Sequence, residues 1–234
     1  MLKDIQMDNF SIKKEGILLI NKPAGCTSHD IVDVIRKKLR VRKVGHAGTL
    51  DPSAEGVLIV LVGSYTKLFD KFSNLDKEYW GIMKLGEVTT TGDSEGKVIK
   101  RCPYEAIEER TIRGVYRSFQ GEILQTPPMV SAKRIGGKRL YKLARRGIII
   151  ERPSKRIRIY KIEVLKIDKP YVEFYVKCSK GTYIRKLVED IGEKLGCGAY
   201  VVKIKRTAIG PFRIEDTFSP EEVDYSCLRR DVSL

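Results

Sequence analysis

Histidine is almost missing from the 234 residues: only His29 and His46 occur, beside five cysteines at positions 26, 102, 178, 197 and 227 with no CxxC pair. That set cannot fill a tetrahedral zinc site, and an odd number of scattered cysteines is not a disulfide framework. Reduced thiols and no metal are expected. Acids are also scarce, with 30 Asp and Glu against 45 Lys and Arg, for a formal charge of +15. Such a field attracts polyanions, of which nucleic acid is the first candidate inside a cell. A thermophile's ion-paired surface would instead be rich in both signs. Long apolar runs are absent too: the stretch 57–62 falls far short of the ~20 residues that a membrane helix needs. The opening MLKDIQMDNF has two acids and none of the apolar core of a signal peptide. A cytoplasmic protein without membrane contact is expected. Neither a Walker phosphate loop nor a GxSxG elbow occurs, and no GxGxxG joins a strand to a helix.

What is there reads as mixed α and β in one continuous domain, large enough to bury its own core. Residues 17–20 form a short buried strand stopped by Pro23 and Gly25. Ser28 is the expected N-cap of a helix carrying Ile31, Val32, Ile35 and Leu39 on one face, with cations from Arg36 to Arg40 near its end. VLIVLVG is apolar enough for a central strand. A strand over 77–85, a polar turn TTTGDSEG and a helix over 104–119 follow. RIRIYKIEVLKI and YVEFYVKC alternate as an antiparallel pair would, and 182–195 is an amphipathic helix closed by Gly196. Between 133 and 161, twelve cations face only Glu151. Within it, KRLYKLARR reads as a short helix between glycine hinges, a mobile basic arm suited to clamping phosphate.

The chemistry concentrates in KVGHAGTLDPSAEG, residues 43–56, a glycine-rich loop leading into the apolar strand. An aspartate before proline is commonly a turn-former. Here Gly45 and Gly48 would let the backbone approach a bulky ligand, His46 precedes Asp51 by five residues, and a buried strand would hold the loop rigid. On these residues alone, a turn and a catalytic loop remain equally open.

GHAGTLDPSAEGVLIVLVG resembles the signature of the TruB-type tRNA pseudouridine synthases. Four further segments agree in order: GILLINKPAGCTSHDIV, KEYWGIMKLGEVTTTGDSEG, QTPPMVSAKRIGGKRLYKLARRG, and CSKGTYIRKLVEDIGEKLGCGAYV with KRTAIGPF. Together they span about 16–212. The resemblance implies an α+β pseudouridine synthase fold: a mixed, mostly antiparallel sheet with flanking helices and a basic mobile insertion at about 126–155. It implies isomerisation of uridine 55 in the T loop of tRNA to pseudouridine, with base flipping and without ATP, metal or redox cofactor. Asp51 would be the essential carboxylate, Arg185 the cation beside it, able to orient it by two parallel hydrogen bonds, and Tyr79 the ring against the flipped base, suited to proton transfer at C5. His46, Tyr183, Ile204 and Lys22 would contact substrate. Lys133, Arg134, Lys138, Arg139, Lys142, Arg145 and Arg146 would hold the RNA backbone. The partner is the T-arm stem-loop, and a monomer is expected. Members usually continue into a small C-terminal RNA-binding domain of the PUA type, which is not expected in this chain. The same isomerisation on another RNA stem-loop, or a tRNA-refolding chaperone with secondary catalysis, are the alternatives.

Overall fold

A computed structural model describes residues 14–231 apart from 132, 133, 136, 141, 142, 144–146 and 149. Its main sheet has nine strands. Seven run in the order β1 (Gly16–Lys22), β3 (Glu55–Val62), β12 (Ala199–Ile209), β4 (Lys77–Leu85), β11 (Tyr171–Cys178), β10 (Lys155–Asp168) and β7 (Gly121–Gln125). β2 (Val44–Ala47) adds to β3, and β13 (Phe212–Arg213) adds to β12. Every pairing is antiparallel except β3 with β12, where Glu55 faces Lys205 and Gly56 faces Arg206. Two small pairs lie apart: β5 (Glu87–Thr89) with β6 (Val98–Arg101), and β8 (Arg134–Ile135) with β9 (Lys138–Arg139).

Burial follows the two kinds of strand pattern. β3 is buried at every position after Glu55, because both of its faces are covered. Leu58, Val60 and Val62 pack with α1 (Ser28–Lys38) through Ile31, Val32 and Ile35. Val57, Ile59 and Leu61 pack on the other side with Phe72 of α2 (Phe69–Ser73) and with Phe212. β4, β10 and β11 alternate instead. Their inner residues, among them Met83, Phe174 and Ile159, pack against Ile112 and Tyr116 of α3 (Glu109–Ser118) and Leu187, Val188 and Ile191 of α4 (Ile184–Lys194).

Several sequence expectations shift. Thr27, not Ser28, caps α1, in a capping box with Asp30. Ser28 is thereby freed to reach another loop. α3 starts at Glu109, because Pro103 and the turn that closes Ile107 onto Tyr104 precede it. Val44–Ala47 of the glycine-rich stretch are a strand, β2, hydrogen-bonded to β3 rather than looped. In the basic arm, Lys138 and Arg139, expected to begin a helix, pair with Arg134 and Ile135 across a turn at Gly137, whose φ is +77°. Positive φ at Gly137 favours this hairpin over helical continuation. The base of the arm is tied by Arg152 Nη1, which donates to the Pro127 carbonyl at 3.0 Å, and by Thr126 and Ser154, whose hydroxyls lie 2.8 Å apart.

Candidate active site

The loop from Gly48 to Ala54 links β2 to β3, and each carbonyl from Gly48 to Pro52 accepts a hydrogen bond. The Arg206 guanidinium reaches Gly48 at 3.1 Å and Thr49 at 3.4 Å, and its Nε donates to Val57 at 2.8 Å. Ser28 Oγ donates to the Leu50 carbonyl at 3.2 Å and accepts from the Leu50 amide at 2.9 Å. The Ala54 amide donates to Asp51, and the Gly25 amide to Pro52. Lys22 Nζ also donates to Pro52, and to Pro23 and Cys26 at 2.7 Å each. A loop so fully bonded has few conformations, which is what a site held to sub-ångström precision requires.

Two glycines bracket the loop for reasons other than ligand approach. Gly48 has φ +98°, and Gly56 has φ +106°. A Cβ on Gly56 would lie 2.2 Å from the Arg206 carbonyl, so β3 and β12 can run side by side there only without a side chain. Gly45, read as leaving room for a ligand, faces Thr66 across 3.8 Å.

Asp51 projects from this loop with its side chain 41% exposed, and its Oδ2 lies 2.8 Å from Nε of Arg185, whose side chain is 6% exposed. Arg185 comes from the first turn of α4, and each of its three nitrogens is engaged. Nη1 donates to the Thr91 carbonyl at 2.9 Å and pairs with Asp93 at 3.4 Å, while Nη2 donates to the Val130 carbonyl at 2.8 Å. The two parallel bonds expected toward Asp51 are therefore replaced by one, because the fork is committed elsewhere. Asp93 is itself fixed by the Thr91 hydroxyl and the Glu95 amide. The charge balance is sensible: one buried cation between a buried carboxylate and a half-exposed one.

Tyr79 of β4 is buried beside the loop, opposite Arg206 of β12. Burial pushes its phenol up, and the Arg206 guanidinium works in the other direction. Ile204, two residues earlier on β12 and on the same face, is buried and joins the core cluster that holds Tyr79 and Leu50. Tyr183 precedes α4, and burial raises its phenol as well. Its backbone is pinned by Gln125, which accepts from the Tyr183 amide at 2.8 Å and donates to its carbonyl at 3.1 Å. His46 lies on β2, pushed down to about 4 by burial and by the charge of Arg206, and is therefore neutral near pH 7. Lys22, expected as a phosphate or pocket contact, is fully buried under the loop with its ammonium spent on three carbonyls.

Of the basic arm, Arg134, Lys138 and Arg139 are placed by their backbones in the β8–β9 hairpin. Lys133, Lys142, Arg145 and Arg146 lie outside the described residues. Sequence reasoning passed over Arg206, Asp93, Ser28 and Gln125. KRTAIGPF and TTTGDSEG contain the first two, but nothing in their spacing reveals that one will lie under the loop and the other against Arg185. Among the described residues no group of three or more His, Cys, Asp or Glu could hold a metal ion, and no helix is long and apolar enough to cross a membrane.

Known proteins share the fold and much of the sequence. The chain superposes on a chain of a Cbf5-Nop10-Gar1 complex with a TM-score of 0.69 and 33% identity, over 87% of its own length and 52% of the other. It matches a chain of an H/ACA RNP bound to a substrate RNA containing 2'-deoxyuridine with a TM-score of 0.65 and 32% identity, over 88% of its own length. It spans about half the length of these solved chains. Residues 36–184 match the family model of the N-terminal domain of TruB family pseudouridylate synthases. Residues 185–231 match that of the tRNA pseudouridylate synthase B C-terminal domain, a match that takes in α4 and β12 and so part of the main sheet. The fold is that of a pseudouridylate synthase. Within that class, the chain belongs to the TruB family. It is 50% identical over 209 residues to tRNA pseudouridine synthase B of Clostridium tetani, covering 89% of this chain and 72% of that one. It is 49% identical over 216 residues to the protein of that name from Thermotoga maritima, covering 90% and 70%.

Proposed function

We propose that this chain isomerises uridine 55 in the T loop of tRNA, with Asp51 as the essential carboxylate. The observation that carries the proposal is the half-exposed Asp51, held 2.8 Å from a buried, backbone-anchored arginine on a loop whose carbonyls from Gly48 to Pro52 all accept hydrogen bonds. A carboxylate facing a polyanion works against binding, so its place at the mouth of a basic protein calls for chemistry.

In the reaction the N1 glycosidic bond breaks, the uracil turns, C5 bonds to the same sugar carbon, the C5 proton leaves and N1 takes up a proton. Bonds broken and formed balance, so positioning does most of the work. A stacked uridine must first leave the loop stack. Tyr79 and Ile204 then offer the base an aromatic and an aliphatic wall. Arg185 holds Asp51 in place across 2.8 Å; the carboxylate then serves as nucleophile or assists departure of the uracil. Burial keeps the Tyr79 phenol protonated, which suits a packing and hydrogen-bonding role; taking the C5 proton would require its ionisation, which the Arg206 charge eases.

The test is tritium release from C5-tritiated uridine in an unmodified T-arm stem-loop. Wild type should release tritium without added nucleotide or metal, and Asp51→Asn should release none while binding the stem-loop as well or better. Release by Asp51→Asn at the wild-type rate would remove Asp51 from the chemistry.

A further inference from the structure

Helix α1 ends in a turn whose geometry its sequence resists. Arg40 has φ +47° and is the only non-glycine residue at positive φ among the described residues. Its amide donates to the Lys37 carbonyl and the Val41 amide to the Arg36 carbonyl, the paired closure in which glycine is the favoured residue at the left-handed position. A side chain there costs stability. Local strain of this kind persists where something other than folding selects the residue.

The residues around it indicate what selects it. Between Arg36 and Lys43 the sequence RKKLRVRK has six cations and no acid. Two have structural duties: Arg36 pairs with Asp33 and reaches the Val44 carbonyl, and Lys38 donates to the Glu221 carbonyl. Lys37, Arg40, Arg42 and Lys43 are exposed and make no ion pair or side-chain hydrogen bond among the described residues. Neutralising the end of the α1 dipole accounts for Lys37, but Arg42 and Lys43 lie beyond the helix.

Their place in the fold connects them to the surface around Asp51, the cleft in which the proposed function seats the RNA loop. α1 begins at Ser28, whose hydroxyl holds Leu50 of the catalytic loop, and 11 helical residues carry the chain roughly 16 Å away. β2 then returns over Val44–Ala47 to Gly48. The four cations thus lie in the far half of α1 and in the turn between α1 and β2, the two elements whose near ends hold the Asp51 loop. A folded RNA loop entering the cleft carries its stem outward from it. Double-stranded RNA is held by its shape and its phosphates.

We propose that Lys37, Arg40, Arg42 and Lys43 form a phosphate-contact surface for the duplex stem of the RNA whose loop enters the cleft. This rests on the reading of the cleft as a stem-loop site. It separates stability from binding, since the residue that best fits the turn, glycine, is the one that cannot hold phosphate.

The test compares wild type with Arg40→Gly, Arg40→Lys and the triple variant Lys37→Gln/Arg42→Gln/Lys43→Gln, all as the full chain. Thermal melting is measured alone. Binding by anisotropy and turnover use two hairpins, one with a full stem and one with its stem cut to a few pairs, between about 50 and 200 mM salt. Arg40→Gly is expected to melt at the wild-type temperature or ~2–4 °C above it. On the full-stem hairpin its Kd should rise several-fold and its salt slope fall by about one, against about three for the triple variant. The short hairpin and kcat at saturation should not change, and Arg40→Lys should retain most of the affinity. An Arg40→Gly protein with unchanged Kd and salt slope on the full stem overturns the proposal, as does equal loss on both hairpins or a fall in melting temperature. In each of those cases wild-type turnover leaves the cleft reading intact, whereas a wild type that binds neither hairpin removes that reading and this surface together.

Discussion

Replacing Arg206 with methionine tests whether the catalytic loop is held from below. The side chain is 1% exposed, and its guanidinium serves the carbonyls of Gly48, Thr49 and Val57. Methionine fills much of the volume but donates nothing. Each buried carbonyl left unpaired costs about 1–3 kcal/mol, and the longest of the three bonds is the weakest, so a loss of about 2–5 kcal/mol is expected. For a chain of this size that is a fall in Tm of roughly 4–20 °C. The catalytic effect is separable. Gly48 and Thr49 lie three and two residues before Asp51, and a shift of about 1 Å in a reacting group costs on the order of 10²-fold in rate. Tritium release measured well below the variant's Tm should therefore show kcat reduced by about that factor while KM for the stem-loop changes little. Arg206→Lys, with one ammonium for three carbonyls, should fall between. A folded Arg206→Met protein with wild-type kcat would refute the reasoning, because the loop would then hold its geometry without its principal donor.

His46 gives a pH signature. An unfolded histidine takes its proton near 6.5. In the folded chain burial and the Arg206 charge push that down to about 4. The unfolded state therefore binds more protons between those values, so stability is complete above about 6.5 and declines as the pH falls toward 4. Melting curves of wild type against His46→Gln should differ by a limb in this window, and a difference that stays constant from pH 7 to pH 4 would contradict the buried neutral ring. Gly56→Ala should be severely destabilising, since its Cβ would meet the Arg206 carbonyl at 2.2 Å and its φ of +106° is unfavourable to any side chain. Expression as soluble protein with a Tm within a few degrees of wild type would show that β3 and β12 can part there at little cost.

How much of this could be seen in the sequence depends on the distance over which each feature is decided. Strand β4 over 77–85, the β10–β11 pair and the face of α4 follow from local alternation and helical spacing, and the structure has them at or within two residues of the expected limits. Thr27 displaced Ser28 as cap because both residues can cap, and the choice fell to Asp30 three residues after Thr27. In the arm, glycine at positive φ outweighed a helical composition. Asp51 and Arg185 were legible as a pair through the ordered motifs that surround them, although they are 134 positions apart. Arg206 and Asp93 were not, because their roles arise from a parallel strand contact and from a turn folded back on α4, which sequence spacing does not encode.

The site's buried polar groups make sense together once the demands on Asp51 are considered. A carboxylate that must stay ionised, face an RNA and not wander needs cations near it, yet a cation free to swing could neutralise or block it. Here the two arginines nearest the loop spend their donors on backbone before they meet a carboxylate: Arg206 on three carbonyls, and Arg185 on those of Thr91 and Val130. Lys22 is tied down in the same way. Their charges remain while their motion is removed, and Asp51 retains one short contact and an open flank. Surface cations obey the opposite rule. At Arg40 the chain tolerates a positive φ under an exposed charge that has no partner among the described residues, which suits phosphates on a stem that must be met by side chains able to adjust. Rigid cations under the carboxylate and adjustable ones at the far end of α1 are two solutions to the same polyanion, the first for chemistry and the second for grip.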